Sequence, residues 1–192
     1  MVDKPISTCS KESCINCSIH NKISCHLSLP QLLRFYVTVL PSFLIGGAVI
    51  YNYDISGFVG WVTGTGLFFL IIGIRVLCTH CPHYNESSHI MRCWANYGVP
   101  KFWRYRPQPM NFFEKALLIC GFIFIWGYPV IILSLINNWI LFGGYFLSVV
   151  LFFTLMYQFN CRKCVNFSCP LNKVNIKVKE EFLRNNPRIA QV

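Results

Sequence analysis

The chain has 192 residues, of which 54 % are apolar and only 12 % charged, and its 17 Lys and Arg against 7 Asp and Glu give a net charge of +10. Soluble domains are about a quarter charged, so most of this surface faces something other than water. Nucleic-acid binding, the other usual meaning of so basic a chain, needs a water-soluble core and fails on that count, which leaves a membrane protein whose cations sit beside anionic headgroups.

The N-terminal segment, 1–31, is polar and carries Cys9, Cys14, Cys17 and Cys25 in place of the apolar core of a secretory signal, so the first span is expected to act as its own insertion signal. Four stretches then have the roughly 20 apolar residues that a bilayer crossing requires: 32–51, 55–74, 116–136 and 139–159. Arg34 lies near enough to an end of the first to snorkel, and the other three hold no charge. The links Asn52 to Asp54 and Asn137 to Asn138 are short, so each pair of spans is expected to be a tight helical hairpin with its tip on one side of the membrane.

The opposite side receives the N-terminal segment, a central loop, 75–115, and a tail, 160–192. All 17 Lys and Arg lie there, 4 in the N-terminal region including Arg34, 6 in the loop and 7 in the tail. Cytosolic faces are rich in Lys and Arg, so both termini and the loop are expected in the cytosol, with Asp54 the one charge across the membrane. The expected fold is therefore all-α: an integral membrane four-helix bundle with a small Cys-rich cytosolic cap. Gly60 and Gly64 have small-xxx-small spacing, Gly46 and Gly47 thin the first helix, and Pro41 and Pro129 can bend theirs. No His, Asp, Glu or Lys lies within a span, which argues against a proton relay or a haem held between helices.

Ten of the 11 cysteines belong to the cytosolic segments. Cys14 and Cys17, Cys78 and Cys81, and Cys161 and Cys164 form C-x2-C pairs, each followed by a third cysteine: Cys25, Cys93 and Cys169. Two intervening residues let both sulfurs turn to one ion while nearby amides donate to the thiolates, so the three triplets read as metal ligands, with Cys9, His26, His80 and His83 available to complete them. Cross-segment sites fit equally well, since one pair from the loop and one from the tail make a four-cysteine ribbon. Zinc explains every triplet without redox chemistry. An iron–sulfur cluster is suggested by Cys81-Pro82 and Cys169-Pro170, although the full ferredoxin-type run is absent. Cys120, alone within a span, reads as a small buried hydrophobe. Disulfides are disfavoured on a reducing face. Membrane S-acyltransferases share four spans and a Cys-rich loop, yet their Asp-His-His-Cys motif is missing from Thr79-His80-Cys81-Pro82-His83, which lacks the acidic residue.

Within the loop, 94–113 interleaves Lys101, Arg104 and Arg106 with Phe102, Trp103 and Tyr105, a composition suited to the headgroup zone, where these cations could clamp a phosphate or lipid headgroup. Glu114 is expected to cap or begin span three. In the tail, 174–186 reads as a short amphipathic element with Val178, Phe182 and Leu183 inward. The sequence thus points to a membrane protein with a metal-binding cytosolic face, serving electron transfer to a membrane partner subunit or quinone-type carrier, or assembly. A cysteine-dependent enzyme, with Cys81 or Cys93 reactive and His80 or His83 as base, and a soft-metal transporter remain open.

Overall fold

A computed structural model of the protein describes residues 9–11, 14, 17–25 and 29–190. It is 67 % helical and has no strand among the described residues, only an isolated antiparallel bridge between Ile90 and Pro100.

Helix α1 runs Leu29–Tyr53 and passes through Pro41. The link to α2, Ile55–Leu67, is the single residue Asp54, whose carboxylate accepts from the amides of Ser56 and Gly57 at 3.3 and 2.6 Å. A side chain that satisfies orphan first-turn amides lets one helix end and the next begin without a longer loop. The second span continues through a π-helical turn, Phe68–Ile72, the short α3, Gly73–Val76, and a 3-10 turn, Cys78–His80.

Helix α4, Phe112–Ile136, starts before the expected position because Asn111 and Glu114 form a capping box, each side chain accepting from the other's amide at 2.9 and 3.0 Å. It ends at Asn137, left-handed at φ 56°, and Asn138 caps α5, Trp139–Leu155, by accepting from the Leu141 amide at 3.1 Å. A π-helical turn, Met156–Asn160, and a 3-10 turn, Cys161–Lys163, complete the fourth span.

Four helical runs are thus long and apolar enough to cross a membrane, and no more than 33 % of any of their most apolar windows is buried within the protein. The remaining apolar surface, Val37, Ile123, Ile140 and Leu147 among it, is exposed, as suits helices that cross a bilayer. Helix α1 packs against α5, α4 and α2. One core gathers Val49, Ile50, Trp61, Ile132, Leu133 and Tyr145; a second gathers Phe68, Leu118, Ile125, Trp126 and Phe152. Gly46 allows the closest approach of the first core, since a Cβ there would lie 3.0 Å from the Tyr145 ring and 3.1 Å from Pro129.

Two local expectations are corrected. Gly60 has nothing within 4 Å of a Cβ position, so only Gly64, set against the Phe124 ring, serves close packing. Cys120 faces outward rather than into the core, because Leu118 and the Ile125–Trp126 step fix the inward face of α4 elsewhere. In the tail, helix α6, Ile176–Asn185, buries Phe182 completely, with Val178 and Leu183 beside it.

Candidate functional site: a thiol-lined cavity where two spans end

Spans two and four finish in similar ways. Each passes through a π turn, followed in span two by the short α3, and ends in a 3-10 turn that opens on the first cysteine of a C-x2-C pair. The second cysteine is extended in both, with φ −88° and ψ 137° at Cys81 and φ −76° and ψ 127° at Cys164. The Cys81 amide donates to the Cys78 carbonyl at 2.9 Å, closing the loop of the first pair. A π turn inserts one residue into the helical register and so re-aims the residues beyond it, a device concentrated at functional sites.

Asparagines bring the two pairs together. Asn166, buried, donates from Nδ2 to the Leu77 carbonyl at 2.8 Å, fastening the tail to the end of span two. Asn172 Nδ2 donates to the carbonyls of Cys164 and Asn166 at 2.7 and 2.9 Å and shapes the turn between Cys164 and Cys169. The loop returns through the Arg106 amide, which donates to the Thr79 carbonyl at 2.8 Å.

The result is one cavity of about 470 Å³, lined at one end by Cys78, Cys81, Cys93, Cys161, Cys164 and Cys169 with His83, and at the other by aromatic side chains of the spans. Cys81 is near enough to feel charge on Cys164, Cys93 and Cys78, Cys164 feels Cys93, and Cys78 feels both Cys93 and Cys164. Cys78, Cys81, Cys93 and Cys164 thus lie within electrostatic range of one another in every pairing. Burial pushes the Cys81, Cys93 and Cys164 thiols above their ordinary range, and neighbouring thiols add to the effect at Cys81 and Cys164.

N–H groups nonetheless point at these sulfurs. Asn96 donates its amide to Cys93 Sγ at 3.3 Å and its side chain to Cys78 Sγ at 3.2 Å. Backbone amides of His83, Asn166 and Leu171 serve Cys81, Cys164 and Cys169. Donors of this kind stabilise sulfur in its anionic form. Among the described residues, however, no three Cys, His, Asp or Glu side chains converge closely enough to hold a single ion.

The N-terminal cysteines form a second set, which meets the first at a core shared with Cys81. Cys25 is pushed up to about 12 by burial first and then by Cys14, Cys9 and Cys17, and Cys9, Cys17 and Cys25 pack around the core of Ile19, Ile23, Cys81, Val165 and Phe182. This segment is tied to the tail by the Ser24 amide donating to the Lys163 carbonyl at 2.7 Å and the Ser10 amide to the Asn185 carbonyl at 2.8 Å. His26 lies outside the described residues.

His80 is engaged apart from the sulfurs, whereas His83 lines the cavity with them. His80 Nδ1 meets the Gln108 carbonyl at 2.5 Å, which only accepts, so this nitrogen carries a proton; Nε2 lies 3.3 Å from Glu114 Oε2. His83 Nε2 contacts the Ser24 carbonyl at 3.2 Å. The cations Lys101, Arg104 and Arg106 have different surroundings: Arg106 pairs with Glu114 at 2.5 Å, Lys101 donates to the Glu86 carbonyl at 2.8 Å, and Arg104 is exposed.

Three contributors went unnoticed in the sequence: Asn96, Asn166 and Trp126. The asparagines do carry a signal, since Asn96, Asn166 and Asn172 follow Cys93, Cys164 and Cys169 by two or three residues. Trp126 carries none, being one more aromatic residue in an apolar span.

The four apolar helices fit an integral membrane protein, here one with a cysteine-lined cavity at one end of its spans. No family model, curated protein or solved structure matches the chain.

Proposed function

We propose that this protein is a membrane electron-transfer protein whose cytosolic cap holds an iron–sulfur centre on Cys78, Cys81, Cys93 and Cys164. The observation that carries the reading is that these four thiols, from two span ends and the intervening loop, line one cavity and receive N–H donors. Four thiolates are a soft donor set suited to iron–sulfur clusters and to zinc. Surrounding a space rather than a point suits a cluster of several atoms. An iron–sulfur cluster would supply one-electron redox chemistry at the boundary between cap and bilayer. The chain's own part is to deliver the thiolates, offset their charge with amide dipoles and exclude water. Its partner is then a membrane subunit or a quinone-type carrier. The concentration of Lys and Arg on the cysteine-bearing segments supports their cytosolic location.

The competing readings have less behind them. A cysteine-dependent enzyme needs a histidine against its thiol, whereas His80 Nδ1 is held by the Gln108 carbonyl with Nε2 beside Glu114, and His83 Nε2 contacts the Ser24 carbonyl. A soft-metal transporter wants sulfur ligands along the spans, and Cys120 faces outward.

Anaerobic purification followed by iron, acid-labile sulfide and zinc analysis tests the proposal. Stoichiometric iron with broad visible absorbance, lost in C81S and C164S and kept in C120S, is the expected result. A colourless zinc protein overturns the electron-transfer reading, and a metal-free protein with freely alkylated Cys81 and Cys164 overturns both metals.

A further inference from the structure

The cavity that holds the thiols at one end continues into the spans as a slot walled by Phe35, Phe43, Phe68, Phe122, Trp126 and Phe152. No Lys, Arg, Asp or Glu lines any part of it, so it suits a neutral occupant. The whole cavity, thiol end included, has a volume of about 470 Å³, within the usual range of about 300–1,000 Å³ for small-molecule sites. Its lining also includes Tyr36 of α1 and Leu70 of the π turn, which are 48 % and 53 % exposed on the lipid-facing surface, so the mouth opens toward the bilayer between spans one and two.

One polar group in this apolar wall has no partner. Trp126 is only 8 % exposed, and its indole N–H is buried without a hydrogen-bond acceptor. The other buried indole of the core, Trp61, donates to the Ile125 carbonyl at 3.0 Å. A buried donor left unpaired is costly, and native proteins satisfy nearly all of them. Trp126 is also fixed in place, stacked on Phe152 at 5.5 Å and edged by Phe122 and Phe153 at 5.5 and 5.0 Å. A rigid donor among aromatic faces, reached from lipid, asks for a flat apolar ring that carries a carbonyl oxygen.

We propose that this slot binds a lipid-soluble quinone, with a ring carbonyl accepting from Trp126 Nε1–H and the isoprenoid chain leaving between Tyr36 and Leu70. The carbonyl satisfies the orphan donor, and the ring packs against aromatic walls. The inference rests on the electron-transfer function and deepens it by naming the carrier, and the two are tested separately.

The experiment is equilibrium binding of radiolabelled decylubiquinone to the full-length protein in nanodiscs, with iron and zinc measured on the same samples. Wild-type protein is expected to bind saturably at one site. W126F, which keeps the ring and loses the donor, should weaken binding about tenfold, the worth of one hydrogen bond made in a buried site. V39F, which adds bulk at a residue lining the slot, should abolish binding while leaving metal content and thermal stability near wild type. Absence of saturable binding to the wild type overturns the proposal. So does equal affinity in W126F, or displacement by decylbenzene as effective as by the quinone, which would make the slot a site for acyl chains. Metal without quinone binding removes this inference alone, and quinone binding without metal removes only the electron-transfer centre.

Discussion

Asn166 Nδ2 and the Leu77 carbonyl, 2.8 Å apart, join the residue two beyond Cys164 to the residue just before Cys78. This bond holds the tail's cysteine pair against the loop's. The same side chain accepts from the Ser168 amide at 3.2 Å, so it is satisfied from both ends while 5 % exposed. Asn166→Ala should cost about 1–3 kcal/mol, because it orphans a buried carbonyl and an amide. Thermal unfolding in detergent measures the loss, and C164S combined with N166A should cost less than the sum of the two changes, since both loosen the same contact.

Glu114 gathers two arginines, a histidine and a helix start. It pairs with Arg106 at 2.5 Å and His80 at 3.3 Å, lies 3.9 Å from Arg75, and completes the capping box of α4. Glu114→Ala removes the cap and the charge and should destabilise by about 1.5–3 kcal/mol. Glu114→Gln keeps the acceptor at the cap and should cost less. Equal losses in the two variants would show that the charge contributes nothing. The comparison is made by thermal unfolding, and sensitivity to salt should fall in both variants.

Asp54 provides the pH-dependent element on the other side. Its carboxylate accepts from the Ser56 hydroxyl first, at 2.7 and 2.8 Å, and from the Gly57 and Ser56 amides, which hold it below the ordinary carboxylate range. A group whose folded value is depressed stabilises above its unfolded value, about 3.9, and loses that contribution as pH falls through the folded value. The Tm of the wild type should therefore fall on acidification below about pH 4. In Asp54→Ala the Tm should be lower at pH 7 and its acid-side decline shallower.

Orientation is tested by labelling. With both termini in the cytosol, an impermeant thiol reagent applied to intact cells should leave Cys14 and Cys169 unmodified, and labelling should appear only after lysis. A cysteine replacing Ser56, on the opposite side, should react before lysis. Labelling of Cys14 in intact cells would invert the topology.

Much of this was open to view in the primary structure. Runs without charge and the segregation of every Lys and Arg onto three segments announce four spans, because hydrocarbon admits no other long apolar element. The capping role of Glu114 was readable from its place before an apolar run, and Phe182 from the helical spacing of the tail. The expectation of a buried Cys120 failed for a physical reason. An all-apolar helix has no amphipathic stripe, so its sequence does not say which side faces protein and which faces lipid.

The same limit applies to the candidate site. By itself the sequence determined the helical class, the number of spans and the three C-x2-C pairs, since these depend on composition and short-range spacing, while each helical run extends several residues beyond its expected bounds. Only the tertiary structure decided that the loop and tail pairs share one cavity, that Cys9, Cys17 and Cys25 pack on a core shared with Cys81, that His80 turns to Glu114, and that Trp126 lacks an acceptor. Each of these depends on where two π turns aim the ends of spans two and four and on long-range bonds such as Asn166 to Leu77. Contacts between residues 89 positions apart leave no periodicity along the chain and arise only when the helices pack.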